Sequence, residues 1–320
     1  MVDDSHIYEL EFPSPSIEHN DGTGPVLLHG LEGFADAGHA VSIVTNHLRE
    51  SLETELVASF AVDELIDYRS RRPPMTFVSD HFSSYDKPEL SLYAVKDLEG
   101  TPFLLLAGLE PDFKWEKFTA AVQVLAERFG VSQSVGLSAI PMAVPHTRPL
   151  GVIGHASDPG KVPASERLGS EVQVPGSASA LLELRMGQNG FDARGFSVHV
   201  PHYLSQSPYP AAALRLLASV AEVTGISVPL QALEESARTI AEQVDEQLAG
   251  NDEAAAVVHA LENQYDLTHR GDSAPSLLES GQELPSGDEL GAEFERFLAE
   301  QATGNDDDEP GGPGNDQGQR

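Results

Sequence analysis

Residues 101–149 constrain the fold more than any other stretch of the chain. Pro102-Phe103-Leu104-Leu105-Leu106-Ala107-Gly108-Leu109 is a short apolar run suited to a strand buried on both faces. Glu110-Pro111-Asp112 breaks the run, and Asp112 carries the short acceptor side chain expected of a helix N-cap. Phe113, Phe118, Val122, Leu125 and Phe129 then recur at helical spacing, with charged residues between them. Gly130 ends that helix, and Ser134-Val135-Gly136-Leu137-Ser138-Ala139-Ile140 reads as a second buried strand. A strand–helix–strand unit of this kind joins two parallel strands by a right-handed crossover. The expected fold class is therefore α/β, a mostly parallel sheet with flanking helices. In such sheets ligands bind beyond the carboxyl ends of the strands. Polar side chains collect there: Glu110, Asp112 and Trp115 after the first strand, His146, Thr147 and Arg148 after the second.

The flanking chain fits the same class. Pro25 to Leu31 is an earlier buried strand, followed by the turn Glu32-Gly33-Phe34-Ala35-Asp36-Ala37-Gly38 and an amphipathic helix through Val41, Val44, Leu48 and Leu52. Further strands are expected at 56–62, 76–78, 90–95, 151–156 and 195–200, and a helix opens at Gly176-Ser177-Ala178-Ser179. From Tyr209 the pattern is helical. Leu230, Leu233, Ala237, Ile240, Val244 and Leu248 stripe one helix, and Val257, Val258, Leu261 and Tyr265 stripe the next, which together predict a helical hairpin. The expected organisation is an α/β body over 1–226 and a C-terminal hairpin over 227–267. A linker with one short helix follows over 268–303, and a disordered acidic tail over 304–320.

The chain has 320 residues, no cysteine and a formal charge of −32. Disulfides, thiolate metal sites and cysteine nucleophiles are thereby excluded. The acid repels nucleic acid and anionic lipid, so neither is an expected partner. An acidic N-terminus without an apolar core is no secretion signal, and no apolar run is long enough for a membrane span. A cytoplasmic protein is the expectation. Self-association would need a patch free of acid, and residues 200–216, with Tyr203, Leu204, Tyr209, Leu214 and Leu216, supply one.

Several chemistries are suggested and then weakened by the residues themselves. Val26-Leu27-Leu28-His29-Gly30 imitates the start of an α/β-hydrolase, but Gly136-Leu137-Ser138-Ala139-Ile140 lacks the second glycine of a nucleophile elbow. His146 and His155, and His199 and His202, have no carboxylate at ligand spacing, so no metal is expected and these histidines read as strand-end hydrogen-bonding groups. Arg69, Arg71, Arg72, Arg148 and Arg194 all sit in loops beside strands, where guanidinium forks either hold an anion or pair with Asp36, Glu110 or Asp112. No phosphate-binding glycine loop occurs, and no cofactor is expected.

Five separated stretches carry a resemblance: 29–38, Tyr68-Arg69-Ser70-Arg71-Arg72-Pro73, Leu109-Glu110-Pro111-Asp112 with Trp115, Pro145-His146-Thr147-Arg148-Pro149, and Phe191-Asp192-Ala193-Arg194-Gly195-Phe196 on through Val198-His199-Val200-Pro201-His202-Tyr203. Together they resemble the proteasome assembly chaperone 2 family in its actinobacterial branch. The resemblance implies a body similar in fold to the nucleoside phosphorylase/hydrolase group, a C-terminal helical addition, and homo-oligomers, trimers in particular. The family has no agreed catalytic residues. Its eukaryotic and archaeal relatives bind proteasome α subunits, often through a C-terminal hydrophobic–Tyr–any-residue tail. Gly318-Gln319-Arg320 is not such a tail, so docking by that route is not expected.

The resulting expectation is a non-catalytic assembly or protein-interaction factor that associates with itself and with other protein subunits. Its candidate pocket comprises Asp36, Arg71, Arg72, Glu110, Asp112, Trp115, His146, Arg148, Arg194, His199 and His202. The alternative is a small-molecule enzyme in which His146 or His202 is the acid/base and Arg148 holds an anion.

Overall fold

A computed structural model describes residues 7–13, 15, 17, 24–169 and 171–269, all within one compact unit. Its strands are β1 (Tyr8–Leu10), β2 (Val26–Glu32), β3 (Glu53–Phe60), β4 (Met75–Val78), β5 (His81–Tyr85), β6 (Leu90–Lys96), β7 (Pro102–Leu109), β8 (Gln133–Met142), β9 (Val152–Ala156) and β10 (Asp192–Pro201). The helices are α1 (Ala40–Ser51), α2 (Val62–Leu65), α3 (Trp115–Arg128), α4 (Ala178–Gln188), α5 (Pro210–Thr224), α6 (Gln231–Ala249) and α7 (Asp252–His269). Eight strands form one sheet in the order β1-β3-β6-β7-β2-β8-β10-β9. The central four, β7-β2-β8-β10, run parallel, and the flanking strands pair antiparallel.

The apolar runs follow from burial on both faces. Phe103, Leu105 and Ala107 of β7 join the core on the side of α1 and α5, while Leu104 and Leu106 join the core on the side of α3 and α4. Alternation is lost because neither face meets water. The unit read from residues 101–149 is present as β7, α3 and β8, and β2 lies between its two strands, with Leu27 opposite Leu104 on one side and Ser134 on the other.

Three expectations are corrected. Asp112 does not cap α3: the helix starts at Trp115 after Lys114, which takes a left-handed conformation (φ 57°) and offers no side-chain cap. The Asp112 carboxylate instead accepts from the Asp67 amide and from Arg71, a charge-assisted bond stronger than a neutral cap. Phe113 consequently lies outside the helix, 50% exposed. Second, the strand expected at 76–78 is present as β4, but its partner β5 was not expected, and the two form a hairpin apart from the main sheet. Third, the acid-free segment 200–216 is largely core. Tyr209 and Leu216 are buried, and Leu230, Leu233 and Ile240 of the following helical segment pack on the same cluster within the subunit.

The hairpin pattern at the C-terminus is present as α6 and α7, with α7 running to His269. The linker and short helix expected beyond it, and the tail expected over 304–320, lie outside the described residues. Among the described residues no helix is long and apolar enough to cross a membrane.

Candidate functional site

The loops beyond the carboxyl ends of β2 and β7 gather around Glu110, only 4% exposed. One of its oxygens accepts from the Ala178 amide at the start of α4 (2.7 Å), the other from the Phe34 amide (2.9 Å). Ser177 completes the α4 N-terminus by accepting from the Ala180 amide. Arg71 reaches over this point, donating to the Glu110 carbonyl (2.9 Å) and the Glu32 carbonyl (3.3 Å) and pairing with Asp112 at 2.8 Å. Trp115 turns its indole N–H back to the Pro111 carbonyl. Asp36 caps the start of α1 through the Val41 amide at 2.6 Å, yet burial outweighs this bond and holds its carboxyl above the usual range. Burial, with Asp36 nearby, raises Glu32 as well. Arg72 is exposed, with no partner among the described residues.

A second group lies beyond β8 and β10. The Tyr203 hydroxyl accepts from the His146 amide and sits 2.7 Å from Nδ1 of the same ring, whose Nε2 is 3.2 Å from Asp245 of α6. Those contacts are consistent as one chain: Tyr203 donates to Nδ1, and Nε2–H donates to Asp245. Burial pushes the Tyr203 phenol up to about 12. Arg148 forks onto Asp266 of α7 and also reaches Glu262, which Thr147 contacts too. Hydrogen bonds from Thr147 and His259, helped by the Arg148 charge, hold Glu262 below the usual carboxylate range. The loop 146–148 thus fastens α6 and α7 to the sheet.

The remaining expected residues do not join either group by a hydrogen bond. Arg194 pairs with Asp192 at 3.4 Å, and although burial opposes ionisation there, Lys161 and Arg194 keep Asp192 low. His199 lies under Gly151 with a buried Nε2 that finds no hydrogen-bond partner among the described residues, and burial lowers its pKa. His202 opens a 3-10 turn after β10, and its ring makes no hydrogen bond to a described residue. Among the described residues no cluster of three His, Asp or Glu has the arrangement of a metal site.

Sequence reasoning missed two features. One is the β4–β5 hairpin, whose register sets Met75 opposite Tyr85 and Phe77 opposite Phe82, all four exposed. The other is a polar cluster on the sheet face beside α4, formed by Ser138, His155, Glu183 and Ser197, with buried His29 next to it. Its signal was the repeated Gly-x-Ser in Gly136-Leu137-Ser138 and Gly195-Phe196-Ser197, which pair in register on β8 and β10.

A parallel-centred sheet with antiparallel flanks, ionic loops that tie helices down and a C-terminal helical pair define a mixed α/β protein. The PAC2 family model matches residues 30–248, and the chain belongs to that family. It is similar to the Mycobacterium tuberculosis protein of unknown function Rv2714, with 54% identity over 92% of this chain and 96% of that one, at a TM-score of 0.79. A PAC2 family protein from Streptomyces avermitilis is 31% identical over 72% of this chain and 98% of that one, with a TM-score of 0.64. The M. tuberculosis proteasome-assembly chaperone homologue Rv2125 is 26% identical over 73% and 99%, with a TM-score of 0.66. Among curated proteins none matches the chain.

Proposed function

We propose that this chain is an assembly or protein-interaction factor that works through protein contacts, as a self-associated ring of three, rather than through the loop crevice. The observation that carries the reading is the β4–β5 hairpin. A lone two-stranded hairpin is marginal in water, and an exposed face of Met75, Phe77, Phe82 and Tyr85 gains most by being covered. A second copy is the occupant that charge favours. Residues 69–87 hold Arg69, Arg71, Arg72 and Lys87 against Asp80 and Asp86, four basic minus two acidic, in a chain whose total is −32. The exposed guanidinium groups of Arg69 and Arg72, just before the hairpin, therefore favour the acidic surface that another copy presents. The likeness to Rv2125 supports an assembly role, with subunits of another complex as further partners.

The alternative, an enzyme using His146 or His202 with Arg148 as anion holder, draws less support. His146 and Arg148 are both bonded to the C-terminal helices within the subunit.

Light scattering at micromolar concentration tests the reading. A species of about three chain masses is expected, and Phe77→Asp with Phe82→Asp should reduce it to a monomer whose far-UV circular dichroism is unchanged. A native chain that is monomeric, or an oligomer indifferent to both substitutions, overturns it.

A further inference from the structure

The sheet face beside α4 holds a charge-relay arrangement that the assembly reading does not use. Glu183 of α4 places both carboxylate oxygens on His155 Nδ1, at 2.8 and 2.9 Å. That bond fixes the proton on Nδ1 and leaves Nε2 as an acceptor. Nε2 in turn lies 3.3 Å from the Ser197 hydroxyl on β10. Ser138 of β8 stands 2.6 Å from the same hydroxyl and can give its one proton to it or to the Phe196 carbonyl at 3.1 Å.

The surroundings are shaped to keep this set together. A side chain at Gly195 would place its Cβ 2.2 Å from the His155 ring and 2.5 Å from Glu183, so only glycine lets the pair lie against the strand. His155 remains 40% exposed while Glu183 is 15% exposed, which leaves the base open to solvent and its orienting acid covered. Next to them His29 is fully buried, its Nδ1 3.3 Å from Ser179 and its Nε2 without a hydrogen-bond partner among the described residues.

We propose that Ser197, His155 and Glu183 form an acyl-transfer site for neutral or cationic carboxylic esters, with Ser197 as nucleophile, His155 as general base and Glu183 as the residue that positions it. Ser197 Oγ bonds to the ester carbonyl carbon as its proton passes to His155 Nε2, and the carbonyl electron pair moves to oxygen. Collapse of that oxyanion breaks the bond to the alcohol, which leaves with the proton from His155. Water, deprotonated by the same nitrogen, then releases the acid and restores Ser197. The 3.3 Å separation is of the kind that shortens when substrate excludes water. A chain at −32 disfavours anionic substrates, which sets the charge class.

The test uses the full chain, a fluorophosphonate probe and p-nitrophenyl acetate. The probe should modify Ser197, mapped by peptide mass. Ester turnover should fall at least about a hundredfold in Ser197→Ala and in His155→Ala. Glu183→Gln should lower kcat while leaving KM in place. Ser197→Cys gives a second handle, because a thiol activated by His155 should alkylate at pH 7 faster than a free thiol. No adduct at Ser197 on the folded native chain, hydrolysis that survives Ser197→Ala, or a cysteine at 197 no faster than free thiol each overturns the proposal. None of these readouts depends on oligomer size, so this site and the assembly reading fail separately.

Discussion

Arg148 and Asp266 meet in a two-pronged pair, Nε to one carboxylate oxygen at 2.9 Å and Nη2 to the other at 3.0 Å, joining the loop after β8 to the last described helix. Fork-to-fork geometry constrains direction as well as distance. The same guanidinium also reaches Glu262, one turn earlier on α7.

The first prediction concerns this fastening. Arg148→Ala should quicken amide exchange across α7 by roughly three- to tenfold while leaving β2, β7 and β8 unchanged. Asp266→Ala should do the same, and the double variant should add little to either. Equal exchange in native and variant chains would show that α7 is held by its apolar stripe alone.

Glu110 predicts a loss of stability. Replacing it by Ala leaves the Ala178 and Phe34 amides without their acceptor, at a cost of roughly 2–4 kcal/mol for the two. Glu110→Gln keeps one acceptor oxygen and should recover about half. Urea unfolding at pH 7 reads the difference.

His29 predicts a pH dependence. Burial lowers its pKa from 6.5 to about 4, so between those values the unfolded chain binds the extra proton. Its contribution is full above pH 6.5 and is lost as pH falls toward 4, amounting to about 2 kcal/mol between pH 7 and pH 5. His29→Asn, which does not titrate, should flatten that part of the stability profile. An unchanged slope would place the acid sensitivity elsewhere.

Two glycines should respond differently to Ala. Gly108 has φ of +126°, and an added Cβ would lie 2.2 Å from the Glu89 backbone carbonyl, so Gly108→Ala should cost roughly 2–4 kcal/mol and shift β6 against β7. Gly195→Ala meets only the side-chain ends of His155 and Glu183. It should unfold at nearly the native urea midpoint, with the His155 ring displaced, which its NMR shift would report.

Much of the sheet was legible because runs such as 103–107 carry apolar residues at consecutive positions, a pattern that burial on both faces explains. The position of β2 was not, since periodicity says nothing about which strands become neighbours. Half of the hairpin was expected as the strand 76–78, but its partner at 81–85 was not, because Phe82 and Tyr85 stand among polar residues with no buried face to set a pattern. Loop arginines were read as either anion holders or partners of Asp36, Glu110 or Asp112, whereas a pair as distant as Arg148 and Asp266 follows only from the packing of α7. The same holds for the polar cluster: both Gly-x-Ser repeats stand in plain view, and their alignment is a matter of register.

The central place of β2 also governs how the molecule is made. During synthesis this strand emerges early, yet its neighbours on either side are β7 and β8, so the middle of the sheet cannot close before the ribosome has passed Met142. Until then the β8 edge of Leu27 and Leu28 stays open on the nascent chain, and such long-range closure is slow.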